Sequence, residues 1–312
     1  MTYYAGSGPY CYAHSLAMVL GGTAPSAAVI EVLTGSPFGF QLIGGTLPLF
    51  DPYGWDPDLG LDAALTLLGT RCERTAGGTP EEAEDRLREA SARGPVLVGP
   101  VDMGLLLHQP GTPTDDGGDH FVVVLEVDGG TVVFHDPHGH PYATLPVADF
   151  LIAWEAKAVD YIDAPYVMRA DFVQERQVTQ EEALRRSLPD AERRLAGRGG
   201  RPVPPGTLGG AAGVEALAAR ADGGLDERTR GFMAHFAVRV GARRVNDAAH
   251  CLESLGLTGA AAVAAGQSRL IGGLQHPLVT RDDHTLAGRL RRLAPTYERL
   301  RTALTSEIRA LE

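Results

Sequence analysis

Small and apolar residues near the start of the chain follow a helical pattern. They occupy Cys11–Leu20 and stop at Gly21, which predicts a buried helix that begins at Cys11. Ser26 is placed to cap a short second helix that ends at Leu33. Residues 35–60 are instead rich in glycine, proline and aromatic residues, a composition typical of a loop with enough apolar bulk to line a pocket.

The middle of the chain alternates between helical and extended patterns. Helices are predicted at 61–68, 80–94 and 147–158, and strands at 96–98, 121–127, 132–134 and 142–145. The strands at 121–127 and 132–134 flank Asp128-Gly129-Gly130, which is a strong β-hairpin signal. Helices followed by an antiparallel sheet predict the α+β fold class.

Strand patterns stop near residue 165, and helical patterns continue to the end. Helices are predicted at 213–220, 226–240, 248–255, 259–272 and 286–311. A segment rich in glycine, arginine and proline near 193–210 is predicted to be a mobile connection or lid. The sequence therefore predicts two domains, an α+β domain at 1–165 and an all-α domain at 166–312.

The charge of the chain differs between its two halves. The net charge is −11, made up of −16 in residues 1–165 (6 basic and 22 acidic side chains) and +5 in 166–312 (22 and 17). A strongly acidic first half argues against a nucleic-acid partner, because phosphate binding needs a basic surface. Neither a membrane span nor a signal peptide is visible in the pattern, so we expect a cytoplasmic protein without a membrane partner.

Cys11 differs from the other two cysteines, Cys72 and Cys251, because it follows a glycine-proline turn and opens an apolar helix. A helix N-terminus presents unpaired N–H groups and a positive dipole end, which favour a thiolate and can hold an oxyanion. Three scattered cysteines do not make a disulfide framework. Cys11 is therefore the candidate nucleophile, and the alternative is a buried packing thiol.

His120 and Asp136 are the candidate partners of this thiol. His120 opens a strand after an acidic, glycine-rich turn and could act as the base, and Asp136 lies across the hairpin, where it could orient the imidazole. His14 is a rival base, although its place on the helix of Cys11 leaves little room for substrate. His135, His138 and His140 resemble a metal cluster but lack regular ligand spacing, so no metal site is predicted.

With a cysteine, a histidine and an aspartate in this order, the chain resembles the butirosin-biosynthesis H-protein family. The N-terminal domain of that family is related to papain-like double-glycine leader peptidases. The resemblance rests on these segments: Pro9-Tyr10-Cys11, Glu31 before the glycine-rich stretch 35–45, the His120 strand, His135-Asp136-Pro137, and Gly209-Gly210-Ala211-Ala212-Gly213.

The resemblance implies a papain-like catalytic domain followed by an α-helical domain, and an acyltransferase activity. Cys11 would take an acyl group from a carrier-protein thioester and pass it to an amine, with His120 as the base and Asp136 as its orienter. The enzyme would need no cofactor of its own, because the phosphopantetheine belongs to the acyl carrier protein. We expect that carrier to dock on the basic C-terminal half, and the acceptor to be a small amine.

One departure from the papain-like pattern bears on the substrate. Those peptidases place a glutamine six residues before the cysteine as an oxyanion donor, and Ala5 stands there in this chain. The nearest other candidates are Tyr4, Ser7 and Tyr10, and the predicted pocket residues are Phe38, Phe40 and Trp55. A thioester needs less oxyanion help than a peptide bond, which favours acyl transfer. A cysteine peptidase and a catalytically silent binding protein of the same fold remain the alternatives.

Overall fold

Two contact units make up the chain, and each is assembled from separate stretches of sequence. The computed structural model describes residues 9–114 and 118–311, a mixed α/β chain with antiparallel sheets and a helical C-terminal region. We call Tyr10–Ile30 with Leu68–Gln177 the sheet unit. Glu31–Leu67 with Val178–Glu312 belongs to what we call the helical unit.

The sheet unit contains a six-stranded antiparallel sheet in the order β3-β8-β4-β5-β6-β7. Its strands are β3 (Thr70–Thr75), β4 (Val96–Asp102), β5 (Asp119–Asp128), β6 (Thr131–Asp136), β7 (His140–Pro146) and β8 (Met168–Gln174). Its helices are α1 (Cys11–Leu20), α4 (Pro80–Ser91) and α5 (Val147–Trp154), and α2 (Ala27–Leu33) runs across the boundary into the helical unit. The predicted hairpin is present between β5 and β6.

Valine-rich strands supply the core of the sheet unit. Val98 and Val122 are fully buried, and their cluster continues through Phe134, Phe150 and Trp154. Helix α4 begins with a capping box, in which the Thr79 side chain accepts from the Glu82 backbone and the Glu82 side chain accepts from Thr79. This core holds β5 and β6 rigidly, and those strands carry His120 and Asp136.

The helical unit combines a small sheet with most of the helices. Its three strands pair antiparallel in the order β2-β1-β9: β1 (Gln41–Ile43), β2 (Leu47–Leu49) and β9 (Leu208–Gly209). Its helices are α3 (Pro57–Leu67), α6 (Gln180–Leu195), α7 (Gly210–Asp222), α8 (Glu227–Phe232), α9 (Val238–Ser254), α10 (Thr258–Gly272), α11 (Gln275–Thr280), α12 (Asp283–Leu293) and α13 (Pro295–Leu311). A π-helical turn at Met233–Ala237 joins α8 to α9.

A buried ion network ties residues 31–67 to the C-terminal helices of the helical unit. Arg244 on α9 contacts Glu31 Oε1 through Nε at 2.6 Å and Asp51 Oδ2 through Nη1 at 3.3 Å. Gln41 Nε2 donates to the other oxygen of Asp51 at 2.7 Å, and the Arg244 guanidinium lies 5.5 Å from the ring centre of Trp55. All five side chains are buried, so this polar network is part of the core.

The predicted connection near 193–210 is partly helical and is held in place. Helix α6 continues to Leu195, and Arg201 then binds Asp56 at 2.9 Å and Asp58 at 3.1 Å. Its backbone N–H also donates to the Gly54 carbonyl at 2.8 Å. Within the helical unit, this segment is therefore held against residues 54–58.

The units differ from the predicted division at residue 165 for a physical reason. β8 lies beyond that point, yet it pairs with both β3 and β4 and so belongs to the sheet unit. The sheet unit carries a net charge of −11, from 8 basic and 19 acidic side chains, and the helical unit has 20 of each. The five carboxylates of residues 31–67 therefore offset the basic excess of the C-terminal stretch.

Over the described ranges, no helix is long and apolar enough to cross a membrane.

Candidate active site

Cys11 is the first residue of α1, as the pattern predicts. Tyr10 is the N-cap residue, no side chain caps the helix, and its first turn holds no acidic residue, as far as the chain is described. A negative charge at the Cys11 sulfur would therefore lie at the positive end of the helix dipole. Pro9 directly precedes this N-cap residue.

The other two thiols have different surroundings. Cys11 and Cys72 are partly exposed, and Cys72 lies within β3. Cys251 is buried in α9, and burial raises the pKa of its thiol to about 12. A thiol that stays protonated is a poor nucleophile, so Cys251 is a packing residue.

Helix α1 packs against β5 next to the residue that follows His120. The Tyr12 and Phe121 rings meet edge to face with centroids 6.0 Å apart, and Ser15 Oγ donates to the Phe121 carbonyl at 3.1 Å. Tyr12 directly follows Cys11, and Phe121 directly follows His120. Two elements distant in sequence are thus fastened together at the residues adjoining the candidate nucleophile and base.

The structure brings His120 and Asp136 into direct contact. His120 Nε2 lies 2.7 Å from Asp136 Oδ1, and both side chains are almost completely buried. His120 stands at the start of β5 and Asp136 at the end of β6, where the hairpin pairing brings the two strand ends together. This is the pairing that the sequence predicts for a base and its orienting carboxylate.

Asp136 also binds three further donors. His108 Nε2 lies 2.8 Å from Oδ2, Gln109 Nε2 donates to Oδ2 at 2.7 Å, and the His138 backbone N–H donates to Oδ1 at 2.7 Å. Burial alone would raise the pKa of Asp136, but hydrogen bonds from His108 and His120 outweigh it and hold that pKa well below its usual range. Asp136 is therefore an ionised carboxylate with four donors around its two oxygens.

The ionised state of Asp136 fixes the proton position on His120. A carboxylate only accepts hydrogen bonds, so His120 Nε2 carries a proton and donates it to Oδ1. In the neutral imidazole, Nδ1 then holds the lone pair. Nδ1 is thus the atom of His120 that can act as a base.

His108 and Gln109 are the site residues that sequence reasoning did not identify. Both follow the 3₁₀ turn Met103–Leu105, in the connection between β4 and β5. The His108 ring meets Phe134 edge to face with centroids 4.9 Å apart, and its buried Nδ1 has no hydrogen-bond partner among the residues that the structure describes. A polar pair before Pro110-Gly111 is a weak loop signal, and nothing in its spacing points to Asp136.

The rival histidines occupy other positions. His14 lies one turn along α1, with its ring 6.3 Å from that of Tyr10. His135 Nδ1 accepts from the Tyr142 backbone at 3.0 Å, and the His140 ring lies 5.2 Å from that of His108. Within residues 9–114 and 118–311, no group of three or more His, Cys, Asp or Glu side chains is arranged to hold a metal ion.

The predicted oxyanion and pocket residues are divided between the units. Tyr4 and Ser7 lie outside the described residues, and Tyr10 is fully buried in the sheet unit. Phe38, Phe40 and Trp55 are buried in the helical unit, where the Trp55 indole N–H donates to the Thr34 carbonyl at 2.9 Å. Their predicted role in substrate binding stays a prediction.

Replacing His108 with phenylalanine is expected to lower the free energy of unfolding by about 1–3 kcal/mol, because Asp136 loses one buried donor. Urea unfolding of the wild type and the variant would measure this. A double-mutant cycle with Asp136→Asn is the control, since contacting residues couple by about 0.5–3 kcal/mol. Independent effects of the two substitutions would show that the His108 contact contributes nothing.

One family model matches a segment of the helical unit. Residues 204–305 match the YobF C-terminal domain family model. The chain is also similar to the uncharacterized protein YobF of Bacillus subtilis (strain 168), with 33% identity over 164 residues. That alignment covers 52% of this chain and 53% of YobF, so the chain spans about half the length of the curated relative it matches. The domain match lies wholly within the helical unit and contains none of Cys11, His108, His120 and Asp136.

Proposed function

We propose that this protein is a cysteine-dependent acyltransferase or cyclase with a papain-like catalytic unit. The observation that carries the proposal is the buried contact of 2.7 Å between His120 Nε2 and Asp136 Oδ1, on the strand against which the Cys11 helix packs. A structural histidine would need no ionised carboxylate with four donors. An orienting carboxylate that fixes His120 in one tautomer is what nucleophilic catalysis by a thiol requires.

The proposed reaction has two balanced steps. His120 Nδ1 takes the proton of the Cys11 thiol, and the sulfur attacks the carbonyl of a carrier-protein thioester. The phosphopantetheine thiol leaves with the proton from His120, and the acyl group stays on Cys11. An amine then attacks the acyl-Cys11 carbonyl and loses its proton to His120, so that an amide forms and the Cys11 thiol is restored.

The N-terminus of α1 supports the charge that develops in both steps. The positive end of the α1 dipole lies at Cys11 and favours the oxyanion of each tetrahedral intermediate, and within the described part of the chain no acidic side chain in the first turn opposes it. Ala5, at the position of the missing glutamine, offers no side-chain donor. The proposed electrophile is therefore a thioester, which is more reactive than a peptide bond.

The proposed donor is an acyl carrier protein and the proposed acceptor a small amine. Several arginines of the predicted docking half are already paired within the helical unit: Arg193 and Arg194 bind Asp190, and Arg291 binds Asp222. Arg292 forms no ion pair in the part of the chain that the structure describes. Fewer positive charges are therefore left to bind an acidic carrier protein than the net charge of residues 166–312 indicates.

Intact-protein mass spectrometry tests the proposed function. Incubation with an acylated carrier protein is expected to leave one acyl group on Cys11, which peptide mapping locates. Cys72→Ala and Cys251→Ala are matched controls that should retain the adduct, and Cys11→Ala should lose it. An adduct that persists in Cys11→Ala would contradict the proposal. Cleavage of a leader peptide without any adduct would replace it with a peptidase.

A further inference from the structure

A cavity of about 670 Å³ lies within the helical unit, between α10 and the start of α13. Its floor is formed by small residues of α10, including Ala262 and Gly266, and its walls by side chains of α12 and α13. This volume is in the range of small-molecule sites, roughly 300–1,000 Å³. The whole cavity falls within residues 204–305, so it belongs to the part that matches the YobF C-terminal domain.

Four arginines line this cavity: Arg269, Arg289, Arg292 and Arg299. Among the described residues, no aspartate or glutamate lines it. Arg289 donates through Nη1 to the Gly273 carbonyl, which fixes its guanidinium at the cavity edge. The lining therefore concentrates positive charge in one place, although the helical unit as a whole is neutral.

The arginines outside this cavity, between residues 220 and 301, differ from those that line it in their ion pairs. Most hold a carboxylate: Arg220 with Asp226, Arg230 with Asp283, Arg244 with Glu31, Arg281 with Glu227, Arg291 with Asp222 and Arg301 with Glu298. Arg269, Arg292 and Arg299 form no ion pair with any residue that the structure describes. These three guanidiniums can therefore accept an anion from outside the chain.

A buried amide in the same cavity is an independent sign of a ligand. Gln267 has no exposed surface, and neither its Nε2 nor its Oε1 has a hydrogen-bond partner within the described chain. A buried amide without partners is costly, because it gives up its bonds to water and gains none. Gln267 lines the cavity with both amide atoms covered, so a ligand there receives a hydrogen bond from Nε2 and donates one to Oε1 only once a neighbouring side chain moves aside.

We infer that this cavity binds a small molecule that carries a diphosphate group. Guanidinium groups pair with phosphate oxygens through two parallel hydrogen bonds, and four of them match a ligand with several negative charges. Two phosphate groups together carry roughly three to four negative charges near neutral pH. The Gln267 amide and the apolar side chains of Val263 and Leu270 then contact the organic part. This site is independent of the thiol chemistry proposed above.

Isothermal titration calorimetry of the full chain at fixed ionic strength tests the inference, with inorganic pyrophosphate and ADP as probes. Both are expected to bind, and Arg292→Ala and Arg299→Ala should each weaken binding about tenfold or more. Arg309→Ala is the matched control, because it removes the same charge from an exposed position on α13 outside the cavity. Its affinity should equal that of the wild type.

Gln267→Leu separates ligand binding from a purely structural role. The variant should raise the Tm of the ligand-free protein, because it removes two buried polar atoms without partners, and it should weaken ADP binding. A lower Tm would show that the amide is satisfied within the protein. The inference is overturned if pyrophosphate does not bind at millimolar concentration, or if Arg309→Ala weakens binding as much as Arg292→Ala. Binding of pyrophosphate without ADP would overturn the organic part of the ligand.

Discussion

Replacing Asp136 with asparagine is expected to lower kcat for acyl transfer by roughly three to four orders of magnitude. The carboxylate accepts from His108, Gln109, His120 and the His138 backbone, and an asparagine offers one carbonyl oxygen and an NH₂ group in its place. Where the NH₂ group faces His120, the imidazole must carry its proton on Nδ1 and cannot deprotonate the thiol. The rate of acyl-Cys11 formation, followed by mass spectrometry, measures the effect.

Asp128→Asn is the matched control, because Asp128 is an exposed aspartate of the same hairpin, at the end of β5. It should react like the wild type, and equal losses in the two variants would contradict the assigned role of Asp136.

The pH dependence of stability gives a second check. Because the Asp136 pKa is depressed on folding, its stabilising contribution is present above the pKa of an unfolded aspartate, about 3.9, and is lost as the pH falls below it. Wild type should therefore be more stable than Asp136→Asn at about pH 7, by a margin that shrinks towards about pH 3.

Replacing Arg244 with methionine is expected to lower the free energy of unfolding by about 3–5 kcal/mol. The substitution leaves Glu31 and Asp51 buried without their cation, and it removes the guanidinium from the face of Trp55. Removing one member of a buried ion network costs more than replacing the whole network, because the remaining charges lose both their partner and water. Urea unfolding would measure the loss, and the m-value of the variant should equal that of the wild type.

Two further variants make the Arg244 result specific. Arg228→Met removes an exposed arginine of α8 and should change stability by less than about 0.5 kcal/mol. Adding Glu31→Gln to Arg244→Met should recover part of the loss, because it neutralises one of the two stranded carboxylates. A loss of under about 1 kcal/mol for Arg244→Met would be typical of a surface ion pair and would contradict the buried network.

The α+β class, the β5–β6 hairpin and the start of α1 could be predicted because each depends on a local pattern. A run of valines, an Asp-Gly-Gly turn and a cysteine after a glycine-proline turn can each be recognised without any distant residue. The contact between His120 and Asp136 follows from the same hairpin, since pairing of the two strands brings their ends together. These parts of the candidate site were therefore open to prediction.

Other features depend on contacts that no local pattern reveals. β3 and β8 are largely polar along their length, and they form strands because each pairs with the other. Pro189 lies inside α6 and interrupts its helical signal, while the helix is held by packing. His108 joins the site through a loop, and its role depends entirely on where the fold places Asp136.

The interleaved order of the two units limits how this chain can have been assembled. The sheet unit consists of Tyr10–Ile30 and Leu68–Gln177, so residues 31–67 interrupt it in sequence. Its sheet also needs β8, which lies between β3 and β4. A single recombination event near residue 165 would separate β3 from β8, with which it pairs, and the C-terminal helices from Glu31 and Asp51. Neither half is a module that can be exchanged by itself, so we expect the two to be inherited together.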